Sequence, residues 1–91
     1  QIQQMNTGQK AIPGFVVEFA SHTDNDVVSI TKRHEYFEAG VQVVWWVYPL
    51  HQEVHVYTSP KIVTICTDND MISAAPALPE LKMTVAELFR K

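Results

Sequence analysis

Residues 13–49, PGFVVEFASHTDNDVVSITKRHEYFEAGVQVVWWVYP, decide the fold of this chain. The run Phe15–Ala20 is rich in aromatic and β-branched residues and predicts a strand whose side chains alternate between two faces. A polar turn follows. We then expect a helix to about Ala39 that ends at Gly40, because glycine readily takes the left-handed conformation. The very apolar run Val43–Tyr48 predicts a buried central strand.

The C-terminal half predicts an antiparallel meander followed by a short helix. Glu53–Thr58 is expected to form a hairpin with the central strand through the Leu50–Gln52 link. Pro76 and Pro79 predict that Ala74–Glu80 is irregular, because proline lacks a backbone donor. The other expected elements are a strand Lys61–Thr67, a short strand Met71–Ser73, and a helix Val85–Arg90 that begins after Thr84 with a capping box to Glu87.

Two stripes of side chains run along the first predicted helix, whose expected N-cap is Asp24 or Asp26. One stripe consists of Val27, Ile30, His34 and Phe37. The other, at steps of four, consists of Val28, Lys32 and Tyr36. Periodicity alone turns the first stripe to the core, with His34 lining it, and leaves Lys32 in solvent.

A longer pattern connects these elements. Its members are Pro13, Val16, Val17, Glu18, Ser21, Lys32, Tyr36, Gly40, Val41, Trp46, Val47, Pro49, Val54, Val56, Tyr57 and the closing TVAELF of residues 84–89. In this order and spacing the chain resembles the Uma family of nucleases, a branch of the PD-(D/E)XK restriction-endonuclease-like superfamily. The chain departs from the family pattern at Gly14 and Val28, where aspartates are common, and at Tyr48, where the pattern has aspartate.

The resemblance implies an α/β (α+β) restriction-endonuclease-like core, with a mixed, mostly antiparallel sheet and one main helix packed on it. We expect residues 1–12 to be a polar N-terminal tail and residues 13–91 to be a truncated domain of this type. Family members are usually about twice as long. We therefore expect the missing part to be N-terminal and to carry a further strand with an acidic residue.

The resemblance also implies a metal-dependent site, with Lys32 turned inward. Glu18 and the backbone carbonyl of Ala20 or its neighbour would bind Mg²⁺ or Mn²⁺, which prefer hard oxygen ligands. Lys32 would orient water and offset charge on the phosphorane, with Tyr36 hydrogen-bonded into the same site. With Gly14 in place of an aspartate, metal affinity is expected to be weak. His22, which follows Ser21, is either an ordinary turn histidine, which the sequence favours, or a ligand for a softer metal beside Glu18.

The bulk composition describes an ordinary globular chain, with 46% hydrophobic and 19% charged residues. A net charge of −3 argues against a constitutive non-specific nucleic-acid binder, which is usually basic. No apolar run approaches the roughly 20 residues that span a bilayer, so no membrane partner is expected. The single Cys66 excludes an internal disulfide, favours a cytoplasmic setting, and is expected to be a buried thiol on an inner strand.

Three functions remain open from the sequence. The first is a nuclease-like domain, degenerate or incomplete in this chain, that acts on DNA or another phosphodiester. The second is a catalytically silent interaction module, and the third is a nucleic-acid binder without cleavage. An open sheet edge also predicts a homo-oligomer, because a partner strand would cover it.

The adjacent Trp45 and Trp46 must point to opposite faces of the central strand, and at least one is expected in the core.

Overall fold

A computed structural model describes residues 10–12, 14–21, 23 and 25–90 of the chain. Its elements in chain order are β1 (Lys10–Ile12), β2 (Phe15–Phe19), α1 (Asp26–Glu38), β3 (Val43–Tyr48), β4 (Glu53–Ser59), β5 (Ile62–Thr67), β6 (Met71–Ala74), β7 (Leu78–Thr84) and α2 (Val85–Phe89).

Five strands form the main sheet in the order β1-β2-β3-β4-β5, and β6 and β7 form a separate hairpin. Strands β2 and β3 are parallel, with Glu18 beside Trp46, and the other neighbouring strands are antiparallel. The parallel pair requires a crossover, and α1 supplies it. The predicted mixed, mostly antiparallel α+β fold and the β3–β4 hairpin are therefore confirmed.

Two separate cores lie on the two faces of the sheet. The core on the α1 face, which we call the helix-side core, consists of Val16, Tyr36, Val41, Val44 and Trp46. The core on the other face, the hairpin-side core, consists of Phe15, Val43, Trp45, Val47, Val54, Val56, Cys66, Ile72, Ala74 and Val85. As predicted, the two tryptophans point to opposite faces, and both are buried because each face of β3 is covered.

Helix α1 is capped by Asn25, whose side chain accepts a hydrogen bond from the Val28 amide at 2.9 Å. The expected cap at Asp26 is wrong, because Asp26 is the first helical residue, while Asp24 lies outside the described residues. Gly40 has φ +100° and ends the helix region in the predicted left-handed conformation. Asn25 therefore accepts the capping hydrogen bond that was expected of an aspartate one position away.

Most of the stripe that periodicity assigned to the core of α1 faces solvent instead, although its last member, Phe37, is partly buried and packs against the helix-side core. Val27 is 74% exposed, Ile30 is 44% exposed and His34 is exposed. Tyr36, from the second stripe, is the buried residue of the helix. The prediction that His34 lines the core is therefore wrong, because the rotation of α1 is set by the contacts of Tyr36 rather than by the count of apolar residues.

The expectation that Ala74–Glu80 is irregular is confirmed only for the turn at residues 75–77 and is wrong for the rest. Strand β7 begins at Leu78 and contains Pro79, and it pairs with β6 after a register shift at Ala74. A two-stranded hairpin consists of edge strands only, so a proline there need not remove a ladder hydrogen bond. Helix α2 begins after Thr84 with the predicted capping box to Glu87.

The remaining predictions concern the sheet edges and the N-terminal region. Lys10–Ile12, which the sequence assigned to the tail, form β1, while residues 1–9 lie outside the described part. Cys66 is buried as predicted, although β5 lies at the edge of the described sheet rather than inside it. In the part of the chain that the structure describes, no helix is long and apolar enough to cross a membrane.

Candidate functional site

Glu18 is the centre of the candidate site. It lies near the end of β2, is only 7% exposed, and is the one buried charged residue among those described. Alternation along the strand turns Glu18 to the same face as Val16, towards α1 and the helix-side core. A carboxylate buried beside apolar residues needs hydrogen-bond donors or a cation, and α1 supplies both.

Tyr36 supplies the hydrogen bond. Its phenol donates to Oε2 of Glu18, and its ring is 6% exposed in the helix-side core. Burial, the hydrogen bond to Glu18 and the nearby negative charges of Glu18 and Glu35 together raise the pKa of Tyr36 well above its ordinary value. The phenol therefore stays protonated throughout the neutral range and acts as a fixed donor to the carboxylate.

Lys32 supplies the cation. Its Nζ lies 3.7 Å from Oε1 of Glu18, and its side chain is 38% exposed. That distance is longer than a hydrogen bond, so the two charges form a loose ion pair. Because Lys32 precedes Tyr36 by four residues, both side chains project from the same face of α1. The inward orientation implied by the family resemblance is the one found, and the solvent orientation implied by periodicity is not.

Ala20 marks the end of the parallel pairing next to Glu18. Its amide donates to the carbonyl of Val47 at 2.8 Å, which continues the β2–β3 contact past the last residue of β2. His22, the other candidate ligand, lies outside the described residues. Over the described part of the chain, no group of three or more His, Cys, Asp or Glu side chains is arranged to hold a metal. The donor set for a metal there is one carboxylate and nearby backbone oxygens.

Gly14 does not lie where a second carboxylate would complete this donor set. Gly14 precedes β2 with φ +83°, and a Cβ at this position would meet Gln42 Oε1 at 3.0 Å and Ala77 Cβ at 3.1 Å. Ala77 packs against the hairpin-side core, on the face opposite to Glu18. Four residues of extended chain add a separation of about 13 Å. The glycine therefore does not explain the small number of acidic groups around Glu18.

A groove of about 910 Å³ opens beside the cluster formed by Glu18, Lys32 and Tyr36, between the first half of α1 and the β3–β4 hairpin. Its lining includes Ala20, two residues beyond Glu18, together with Arg33, Tyr48 and Tyr57. The sequence analysis missed Arg33. Its position directly after Lys32 was the available signal, but nothing in the sequence spacing places the β4 residue Tyr57 against it.

Arg33 is fixed by contacts to β4 and the turn that follows. Its Nε donates to the Pro60 carbonyl at 3.2 Å and its Nη1 donates to the Tyr57 hydroxyl at 3.3 Å. The guanidinium carbon also lies 4.7 Å from the centroid of the Tyr57 ring, within the range of a cation–π contact. These contacts tie α1 to β4 across the groove.

A mixed sheet with one parallel pair, a crossover helix on that pair, and a buried strand carboxylate facing a helical lysine define a restriction-endonuclease-like domain. The sequence matches the Uma2 family model, described as "Putative restriction endonuclease", over residues 3–86. The chain therefore belongs to the Uma2 family. A comparison with curated proteins gave no match.

Among solved structures, the chain is similar to the crystal structure of a protein from Anabaena variabilis that is titled a "putative nuclease belonging to DUF820". The TM-score is 0.71 with 20% sequence identity, and the match covers 85% of this chain and 44% of that one. The chain thus spans less than half the length of that protein. At this identity the likeness establishes the fold.

Proposed function

We propose that this chain carries a nuclease-type site for metal-dependent hydrolysis of phosphodiester bonds, with DNA as a possible substrate and with an incomplete acidic donor set. The observation that carries the proposal is the meeting of Glu18, Lys32 and Tyr36 at one point beside the parallel strand pair. Membership of the Uma2 family supports the same reading. A buried carboxylate opposite a lysine is costly to maintain for stability alone, which favours a functional role.

Glu18 is the residue that would bind Mg²⁺ or Mn²⁺, together with a backbone carbonyl at or near Ala20. The chemistry of the donors fits, because both ions take hard oxygen ligands and Mg²⁺ is often held by one or two carboxylates, water and substrate phosphate. A bound ion would polarise a phosphoryl oxygen and acidify water. However, Oε2 accepts from Tyr36 and Oε1 faces Lys32, so a cation must compete with Lys32. Weak affinity follows.

The ammonium group of Lys32 would be able to reach a phosphate group of the substrate. Its side chain is more than one-third exposed and its ion pair with Glu18 is loose, so the ammonium is able to turn towards a phosphate at the surface. There it would offset the negative charge that develops during phosphodiester cleavage. Tyr36 would act as a positioning residue, because its protonated phenol donates a charge-assisted hydrogen bond that holds the Glu18 carboxylate.

The metal site is tested by calorimetric titration of Mn²⁺ into the wild-type chain, Glu18→Ala and Glu38→Ala. Glu38 is an exposed glutamate at the end of α1, so its replacement makes the same change in charge away from the cluster. We expect weak binding to the wild type and to Glu38→Ala, and none to Glu18→Ala. Equal binding to all three proteins would place the metal elsewhere and overturn this assignment.

Catalysis is tested by incubating DNA with the wild type, Lys32→Met and Lys82→Met in the presence and absence of Mn²⁺. Lys82 is an exposed lysine on β7 and serves as the matched control. The proposal requires metal-dependent cutting that is lost only in Lys32→Met. A metal-independent gel shift without cutting, weakened by salt, would instead identify a nucleic-acid binder that does not cleave.

A second candidate function is self-association through β5, because this strand has a neighbour on one side only within the described sheet. Ile62 is 60% exposed, Val63 41% and Ile65 58%, and β5 carries no charge or proline of the kind that usually protects an edge. A second copy fits this edge. In an antiparallel pair centred on Thr64, Val63 of each copy lies opposite Ile65 of the other, which gives two apolar cross-strand contacts.

The oligomeric state tests this second candidate. We expect sedimentation to detect a dimer of the wild type at high concentration and a monomer for Ile65→Lys. Val27→Lys is the matched control, since Val27 is 74% exposed on the opposite side of α1 from Tyr36 and should leave the dimer intact. A monomeric wild type at high concentration would exclude self-association, and the open edge would then need another partner.

A further inference from the structure

We propose that the groove between α1 and the β3–β4 hairpin binds one nucleotide, with its phosphate on Arg33 and its base against the rings of Tyr48 and His55. The inference deepens the proposed function and rests on it, because Ala20, two residues from Glu18, lines the groove. A nucleotide held there would be a neighbour of the bond that is cut. The walls of the groove supply three independent observations for this ligand.

The first observation is that Arg33 keeps unused hydrogen-bond donors. A guanidinium has five N–H donors, and the contacts to Pro60 and Tyr57 use two of them. Within the described residues no carboxylate lies within ion-pair distance of Arg33, although ion pairs do occupy Lys32, His55 and Arg90. Arg33 is therefore a half-buried cation that is already oriented by its neighbours and still has donors to offer. Such a group is suited to bidentate binding of a phosphate.

The second observation is a pair of rings in the same groove. Tyr48 and His55 pack together with ring centroids 4.4 Å apart and planes tilted by 42°, and both line the cavity. Both residues are half-buried. Nε2 of His55 contacts Oε1 of Glu53 at 2.9 Å, which fixes the imidazole in place. A rigid aromatic surface beside a spare guanidinium is the combination on which nucleobases stack in single-stranded nucleic-acid sites.

The third observation is the size and charge of the groove. A volume of about 910 Å³ lies within the range of sites for small organic ligands and accommodates a mononucleotide. Asp26, the first residue of α1, also lines the groove. Both Asp26 and Arg33 act on the neighbouring Tyr48, the first raising and the second lowering the pKa of its phenol. Asp26 should therefore weaken the binding of any anion that Arg33 attracts.

The test is titration of thymidine 5′-monophosphate into the metal-free protein in the presence of EDTA, followed by amide NMR shifts and calorimetry. We expect saturable binding, with shifts concentrated on the α1 and β4 walls of the groove. Arg33→Gln should weaken it by about tenfold or more, because a hydrogen bond to a charged group contributes at least that factor. Arg90→Gln, the same change at the C-cap of α2 and outside the groove, should have no effect.

Asp26→Asn provides a variant whose effect has the opposite sign. Removing this carboxylate should strengthen nucleotide binding severalfold, because it eliminates a like charge beside the phosphate. This result does not depend on whether Arg33→Gln folds well. Thymidine and inorganic phosphate serve as partial ligands, and each should bind at least about tenfold more weakly than the nucleotide, since each reaches only one half of the site.

Three results would overturn the inference. The first is no binding of thymidine 5′-monophosphate to the wild type at about 10 mM, well above a millimolar Kd. The second is binding that neither Arg33→Gln nor Asp26→Asn alters, and the third is equal affinity for inorganic phosphate. Because these titrations contain no metal, they are separable from catalysis. Nucleotide binding without any cleavage would remove the proposed reaction alone, and cleavage without nucleotide binding would remove the groove assignment alone.

Discussion

The hydrogen bond between Tyr36 and Glu18 should contribute measurably to stability, and a double-mutant cycle isolates its contribution. The two residues are 6% and 7% exposed, so solvent does not replace a partner that is removed. The variants are Tyr36→Phe, Glu18→Met and the combination of both. Each single change keeps most of the side-chain volume and removes one side of the contact, which limits the cavity term.

The magnitude follows from what each variant leaves behind. Tyr36→Phe removes a donor from a buried carboxylate and should cost about 1.5–3 kcal/mol, towards the lower end because Lys32 remains 3.7 Å away. Glu18→Met deprives the phenol of its acceptor and should cost about 1–3 kcal/mol. The double variant replaces both partners by apolar groups and should lie within about 1 kcal/mol of the wild type. The two costs should therefore be strongly non-additive.

The assay is urea unfolding followed by the fluorescence of Trp45 and Trp46, both of which are buried. The m-value should be equal in all four proteins, so that differences in midpoint report stability. A loss of about 2 kcal/mol corresponds to a fall in Tm of roughly 8–16 °C for a domain of this size. If the two single losses add to within about 0.5 kcal/mol in the double variant, the hydrogen bond does not couple the two residues and the reasoning is refuted.

Three further predictions concern pH, backbone and thiol chemistry. Burial raises the pKa of both Tyr36 and Tyr48, so the folded state holds protons that the unfolded chain loses at high pH. The stability that these two phenols contribute should be complete below about pH 10 and should fall as the pH rises further. The fall measured by urea unfolding should be less steep in Tyr36→Phe. Gly14→Ala should destabilise the protein by more than Gly40→Ala in thermal unfolding, because both glycines have positive φ but only at Gly14 would the new Cβ meet neighbouring atoms. Burial raises the pKa of the Cys66 thiol, so a disulfide reagent should label it slowly in the native protein and rapidly in urea, and fast native labelling would contradict its burial.

Strands β2 to β5 of the main sheet were predictable because their signals are local, whereas β1 was assigned to the tail. Alternation in β2, the continuous apolar run of β3 and the turn residues between β3 and β4 each specify one conformation with little influence from distant residues. The rotation of α1 was not predictable in the same way. Its two stripes of side chains have similar periodicity, and the choice between them depends on a buried partner, Glu18, that lies on another element.

Strand β7 could not be predicted for a related reason. Proline is excluded from strands that have neighbours on both sides. The sequence alone does not indicate that Leu78–Thr84 pairs on one side only within the described hairpin. The hydrogen bond from Trp45 Nε1 to the Ser73 carbonyl, 3.0 Å long, helps to hold that hairpin against the main sheet. Contacts of this kind join residues far apart in sequence and leave no periodic signal.

The site was predictable in part. The family resemblance identified Glu18, Lys32 and Tyr36, and the structure brings these three together, while their catalytic and metal-binding roles stay predictions. The groove was not foreseen. Its two walls come from α1 and from the β3–β4 hairpin, and no sequence pattern links Arg33 to Tyr57, because their contact depends on how far the helix lies across the sheet.

The order of elements has a consequence for how this protein varies over evolutionary time. Glu18, Lys32 and Tyr36 all come from one continuous stretch, β2 followed by α1. The core on the other face of the sheet is built largely from later residues and contains none of the three. The main sheet thus separates substitutions in β6, β7 and α2 from Glu18, Lys32 and Tyr36. We therefore expect the hairpin side to accept changes that leave the geometry of these three residues unaltered.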